Sequence, residues 1–152
     1  MSAVYFHEND IVDTFTEDIQ KIFSREDIIQ KIGAEVNVLR YEGTPVDETL
    51  LPFISIRVLS SSAEQRYAIA DESEVATSFV LACEIYSGNL ANCNKQRATI
   101  LIGEILSSEL RGKYKCLTII ANTPLPTKID IARKIIKFSG VYDNKHNFIY
   151  TT

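Results

Sequence analysis

The sequence predicts an α+β fold in which two amphipathic helices pack on one face of a mainly antiparallel sheet, in the order α-β-β-β-α-β-β. Two segments repeat apolar residues at helical spacing, the segments around them alternate apolar and polar residues, and glycine, proline or asparagine stands at most of the boundaries. At 152 residues and 45% hydrophobic content, the chain can fill one core. Residues 1–152 are therefore expected to form a single domain.

The first predicted helix lies within residues 9–32, with acidic residues opposite its apolar stripe. Asn9 or Asp10 can cap its start. Ser24, followed by two acids, indicates a break and a short further helix that Gly33 ends. The apolar stripe consists of Ile11, Val12, Phe15, Ile19, Ile22 and Phe23.

Period-two patterning predicts three strands after this helical segment. Val36 and Val38 mark the first, and the second covers residues 53–58 after Pro52, which is tolerated where a strand opens. The third is expected to be central, because alternation persists over residues 75–85. The polar segment 60–73 is too long for a tight hairpin turn, so it either has a function or lacks order.

A second amphipathic helix is predicted after a polar turn that contains Gly88 and Asn94, and it is expected to end at Gly112. Residues 117–121 and 131–141 then indicate two strands, and residues 148–150 can pair back as a short final one. The stripe of the second helix consists of Ala98, Leu101, Ile102, Ile105, Leu106 and Leu110.

The sequence contains no recognisable catalytic or cofactor-binding motif. It lacks the glycine-rich phosphate-binding patterns and the Gly-x-Ser-x-Gly nucleophile motif. The only histidines, His7 and His146, lie in polar sequence near the termini, and the three cysteines form no Cys-x-x-Cys pair. We therefore expect no catalytic residue, no cofactor and no metal, and an enzyme is the least favoured class.

Targeting signals are also missing from the sequence. No apolar run approaches the roughly 20 residues that a membrane-spanning helix needs. The N-terminal region is acidic, whereas a secretory signal would be basic and then apolar. We therefore expect neither a membrane span nor export.

Charge is distributed unevenly along the chain. Residues 1–76 hold 15 acids and 6 bases, whereas residues 77–152 hold 5 acids and 10 bases, for net charges of −9 and +5. Either these charges merely solvate two faces, or the acidic side of one copy meets the basic side of the next and closes a ring. The candidate subunit-interface residues are the acids Asp71, Glu72 and Glu74 and the bases Arg111, Lys113 and Lys115.

Four segments carry a family resemblance beyond these patterns: the strand LPFISIRVLS, the long strand EVATSFVLACEIYSGN with its polar turn, the helix NKQRATILIGEILSSEL and the late basic strand ARKIIKFSGVYD. Together with the opening helix, they resemble the tail-terminator and tail-completion proteins that join tail to head in long-tailed bacteriophages. The resemblance implies a homo-oligomeric ring, commonly a hexamer, with no catalytic residues.

By this resemblance, the ring caps the finished tail tube and offers its other face to the head. The expected partners are further copies of the chain, the tail tube protein and the head–tail connector protein, with DNA only as passing cargo. The expected location is the virion, after synthesis in the bacterial cytoplasm. Two alternatives remain: another connector or tube component, or a small nucleic-acid- or ligand-binding module. The module would use the basic C-terminal half, including Lys128, Arg133, Lys134 and Lys137.

Overall fold

The structure is a computed structural model that describes residues 8–41, 48–63, 76–128, 130–143 and 148–149. These ranges contain three α-helices, six β-strands and a 3₁₀ turn at Glu48–Leu50. The elements are α1 Glu8–Phe23, α2 Glu26–Ile32, β1 Asn37–Arg40, β2 Phe53–Ala63, β3 Ala76–Ser87, α3 Lys95–Lys113, β4 Thr118–Leu125, β5 Ala132–Asp143 and β6 Phe148–Ile149.

The α+β class is confirmed, and the break and the short further helix predicted after Ser24 are present. The count of two helices is wrong, because this further helix makes three. The break lies after Ser24, whose hydroxyl donates to the carbonyl of Gln20 at 2.6 Å. Gly33 ends α2 with a φ of 85°, a left-handed conformation that favours glycine. The predicted cap is also wrong, because α1 begins at Glu8 and therefore includes Asn9 and Asp10.

The sheet is mixed, because β1 and β2 pair in parallel while the remaining pairs are antiparallel. Neighbouring strands follow the order β1-β2-β3-β5-β4, with β6 beside the end of β5. The central position predicted for the third strand is confirmed. β2 extends to Ala63, so the predicted loop 60–73 begins as strand, and its remainder lies outside the described residues.

One face of the sheet carries the helices and the main core. α1 packs on β1 and β2, and α3 packs on β3 and β5. Alternate strand residues such as Ile54, Leu81 and Ile136 point to this face and are fully buried with Phe15 and Leu106. In the described part of the chain, no helix is long and apolar enough to cross a membrane.

The topology converts the charge separation along the sequence into a separation in space. Because β3 is central, the described elements of the acid-rich first half, β1, β2 and α1, lie on one side of the sheet. The base-rich second half forms the other side, with β5, β4 and α3. The described elements of these two halves, whose net charges over the sequence are −9 and +5, thus lie on opposite sides of β3.

The two ends of the sheet also differ, and we call them the loop end and the groove end. At the loop end, β2 finishes at Ala63 and β3 begins at Ala76, which pairs with Asp143 of β5. At the groove end, β3 finishes at Ser87, which pairs with Ala132. The twelve residues of β3 separate these ends by roughly 36 Å at about 3.3 Å per residue.

Candidate subunit-contact surface

A groove of about 560 Å³ lies at the groove end, between the start of α3 and the segment that joins β4 to β5. Four bases line it, and no acid does so among the described residues. The bases are Lys95, Lys128, Arg133 and Lys134. We call this site the basic groove.

Two asparagines fix the start of α3 at the rim of the basic groove. The side chain of Asn94 accepts a hydrogen bond from the N–H of Arg97 at 2.9 Å, and Asn89 Oδ1 accepts from the N–H of Lys95 at 3.0 Å. These bonds satisfy two of the backbone donors that the first turn of a helix leaves unpaired. The side chain of Lys95 is thereby held beside the start of β5, although 37 residues separate it from Ala132 in sequence.

The basic groove has apolar residues between its charges. Ile131 is buried and packs with Phe53 and Tyr86, whose rings stack with centroids 4.7 Å apart. Ile100, on the outer side of α3, lines the groove and is 45% exposed. This combination suits an extended segment that presents both carboxylates and small apolar side chains.

Arg133 is held in place by a buried carboxylate. Glu84 is 3% exposed and accepts from both Nε, at 2.9 Å, and Nη2 of Arg133, while Arg57 lies 3.8 Å away. Burial alone would lower the pKa of Arg133, but the hydrogen bonds and charge of Glu84 raise it overall. Arg133 is therefore fixed in place, and its charge is paired with Glu84 within the chain.

The three lysines of the basic groove are less constrained. Lys128 pairs with Glu48 at 3.4 Å, but both side chains are more than half exposed, so the pair contributes little to stability. In the part of the chain that the structure describes, Lys95 and Lys134 have no ion-pair partner. Their charges therefore remain available to an acidic partner.

The bases predicted from sequence lie at the other end. Arg111 and Lys113 belong to the last turn of α3, and Lys115 follows it and is exposed. Arg111 Nε donates to the carbonyl of Leu117 at 3.3 Å, and Leu117 packs beside Gly140 near the end of β5. The three bases thus lie in one stretch of chain at the loop end, where Arg111 and Lys113 contact different parts of the molecule. The predicted acids Asp71, Glu72 and Glu74 lie outside the described residues.

Lys113 takes part in a contact between helices. Its Nζ lies 2.9 Å from Asp18 Oδ1, and the hydroxyl of Tyr114 donates to the other oxygen of the same carboxylate. Asp18 is 9% exposed, and the Tyr114 ring packs against Phe15 with centroids 5.1 Å apart. Burial and the Asp18 carboxylate raise the pKa of Tyr114. These contacts tie α1 to α3.

Sequence reasoning identified Lys128, Arg133 and Lys134 as basic residues but did not place them with Lys95. No local pattern could do so, because the groove forms only when α3 packs across β5. Two features of the sequence could have pointed to the groove. Residues 85–103, which include the turn and the first half of α3, contain no acid, and the late strand β5 is rich in bases.

No model of a known protein family matches this chain, and no curated protein is significantly similar to it. Within the described ranges, no three His, Cys, Asp or Glu side chains come together as a metal site. The chemistry of the groove is therefore inferred from its geometry alone. It offers a partner an apolar surface lined by cationic side chains.

Proposed function

We propose that this chain is a structural virion protein, a ring-forming bacteriophage tail terminator that caps the tail tube and joins tail to head. The observation that carries the proposal is the arrangement of charge around one sheet. The described elements of the acid-rich half and of the base-rich half of the sequence lie on opposite sides of β3. A protein of this kind can bind its own copies head to tail, which is the arrangement that generates rings.

The mechanism of such a ring is geometric. Each copy presents unlike surfaces to its two neighbours, so growth stops when the last copy meets the first. The closed ring covers the contact surface of the last tube subunits without offering a copy of that surface, and tube growth ends there. The opposite face of the ring receives the head–tail connector, and DNA passes through the centre.

The order of elements gives the proposal further support. The long central β3 ends at Ser87, a short polar turn follows, and α3 begins at Lys95. The basic β5 then returns along β3 over twelve paired residues. This is the order of segments on which the resemblance to tail terminators rests.

Growing tail tubes provide the functional test. Purified chain is added to polymerising tail tube protein from the same virion, and tubes are measured by electron microscopy. The expected result is shortened tubes with a ring at one end. Tubes of unchanged length without such a ring would contradict the proposal.

The basic groove also favours a second function, the binding of nucleic acid through phosphate contacts. Phosphate binding weakens steeply with salt, with a loss of roughly fiftyfold between 50 and 200 mM when about four phosphates of a single strand are contacted. Titration with a 20-nucleotide single-stranded DNA at both salt concentrations tests this function. Tight binding with that salt dependence would favour it, whereas no binding at 50 mM salt would remove it.

A further inference from the structure

We infer that the basic groove of one copy binds the acidic segment 71–74 of a second copy. This inference rests on the proposed ring and names the contact that would close it. The ligand is thus an acidic peptide segment that the same chain supplies, and the site that receives it is the groove between α3 and the start of β5.

Charge complementarity is the first argument for this occupant. Four bases line the groove, and two of them, Lys95 and Lys134, have no ion-pair partner among the described residues. The segment carries Asp71, Glu72 and Glu74, and no Lys or Arg occurs between Arg66 and Lys95. Ala70 and Val75 flank the three acids, so the segment also brings small apolar side chains to the apolar part of the groove.

Chain length excludes the groove of the same copy. Glu74 is two residues from Ala76 and Asp71 is five, so full extension allows their Cα atoms to lie at most about 7 and 18 Å from that of Ala76. The basic groove lies beside the far end of β3, where Ser87 pairs with Ala132, roughly 36 Å away. The acidic segment can therefore enter only the groove of another copy.

The placement of the two parts has a consequence for assembly. The acidic segment leaves the sheet at the loop end, and the groove lies at the opposite end. In a head-to-tail series, each copy inserts its segment into one neighbour and receives the segment of the other. Only in a closed ring is every acidic segment bound and every basic groove occupied.

Charge reversal on each side tests the contact. The acid-reversed variant carries Asp71→Lys, Glu72→Lys and Glu74→Lys, and the groove-reversed variant carries Lys95→Glu, Lys128→Glu and Lys134→Glu. Arg133 is left unchanged because it pairs with buried Glu84. Each variant alone should sediment as a 17.1 kDa monomer in 50 mM salt. An equimolar mixture should restore the assembly, because unlike copies can alternate around it.

A control variant reverses three exposed bases outside the groove, Lys21, Lys31 and Arg97, and matches the net charge of the groove-reversed variant. It should assemble like the wild type, and circular dichroism should show all variants folded. A wild-type ring that survives groove reversal, or a mixture that stays monomeric, overturns this inference and leaves the proposed ring intact. A wild type that is monomeric at every concentration overturns both. If the groove-reversed variant still forms the ring but is the only variant that loses DNA binding, the groove binds nucleic acid instead.

Discussion

The loop end and the groove end of the sheet both carry clustered bases, but they use them differently. At the loop end, Lys113 pairs with Asp18 of α1, and Arg111 donates to the backbone, so these charges connect parts of one chain. At the groove end, Lys95 and Lys134 converge on a cavity without an acid among the described lining residues. Clustered charge alone therefore does not identify an interface, whereas charge without internal partners beside a groove remains available to a partner.

The largest difference between the ends is expected from two glycines. A Cβ added at Gly140, near the loop end, would lie 2.6 Å from Phe79 Cζ and 2.7 Å from Leu117 Cδ2. Gly140→Ala should therefore lower the free energy of unfolding by about 3 kcal/mol. Gly103, on α3, leaves 3.0 Å to Ile136 Cδ1, and Ala gains helix propensity there, so Gly103→Ala should change stability by less than about 1 kcal/mol. Urea unfolding of both variants measures the contrast, and equal losses would refute it.

The two buried carboxylates provide the next contrast. Glu84→Gln removes the charge that faces Arg133 and Arg57, and we expect it to lower the free energy of unfolding by about 2 kcal/mol. Asp18→Asn keeps an acceptor for Tyr114 and loses mainly the ion pair with exposed Lys113, so about 1 kcal/mol is expected. Chemical denaturation at pH 7 measures both changes. A larger loss of unfolding free energy for Asp18→Asn than for Glu84→Gln would contradict this ranking of the two ends.

Alkaline pH should act on the loop end through Tyr114. Its folded-state pKa is raised by burial and by Asp18, so the folded chain resists ionisation of this phenol more than the unfolded chain does. The resulting stability is complete below the unfolded pKa of about 10 and is lost as the pH rises above it. Tyr114→Phe should therefore lose less stability than the wild type between pH 9 and 11. Parallel urea titrations across this range check it, and identical pH slopes would contradict it.

The smallest expected effects separate the lysines of the two ends. Lys113→Met should lower the free energy of unfolding by up to about 1 kcal/mol, because Asp18 loses its ion pair. Lys134→Met should change it by less than about 0.5 kcal/mol, because no ion pair is lost. For assembly the order should reverse, with only Lys134→Met weakening the complex. Thermal unfolding and sedimentation of the two proteins test both halves of this statement.

The sequence predicted most of the fold because its signals are local. Alternation over residues 75–85 identified the central strand, and Ser24 and Gly33 marked the break and end of the helices. The parallel pairing of β1 with β2 was missed, because alternation is the same whichever direction the neighbouring strand runs. The candidate acids stay a prediction, since they lie outside the described residues.

The basic groove could not be predicted in the same way. Lys95 and Lys134 are 39 positions apart, and only the packing of α3 on β5 brings them to one cavity. Conversely, Arg111, Lys113 and Lys115 form an evident basic cluster in sequence, but the contact of Lys113 with Asp18 depends on α1 lying beside α3. Local charge patterns thus identify candidates, and tertiary partners decide which of them are available.

Native mass spectrometry of the wild-type chain tests most directly whether the unlike sides and ends of this molecule assemble with each other. We expect one discrete species whose mass is a whole multiple of 17.1 kDa, commonly sixfold, and which persists on dilution because the ring is closed. A single species of 17.1 kDa at every protein concentration, at both 50 and 150 mM salt, would contradict it.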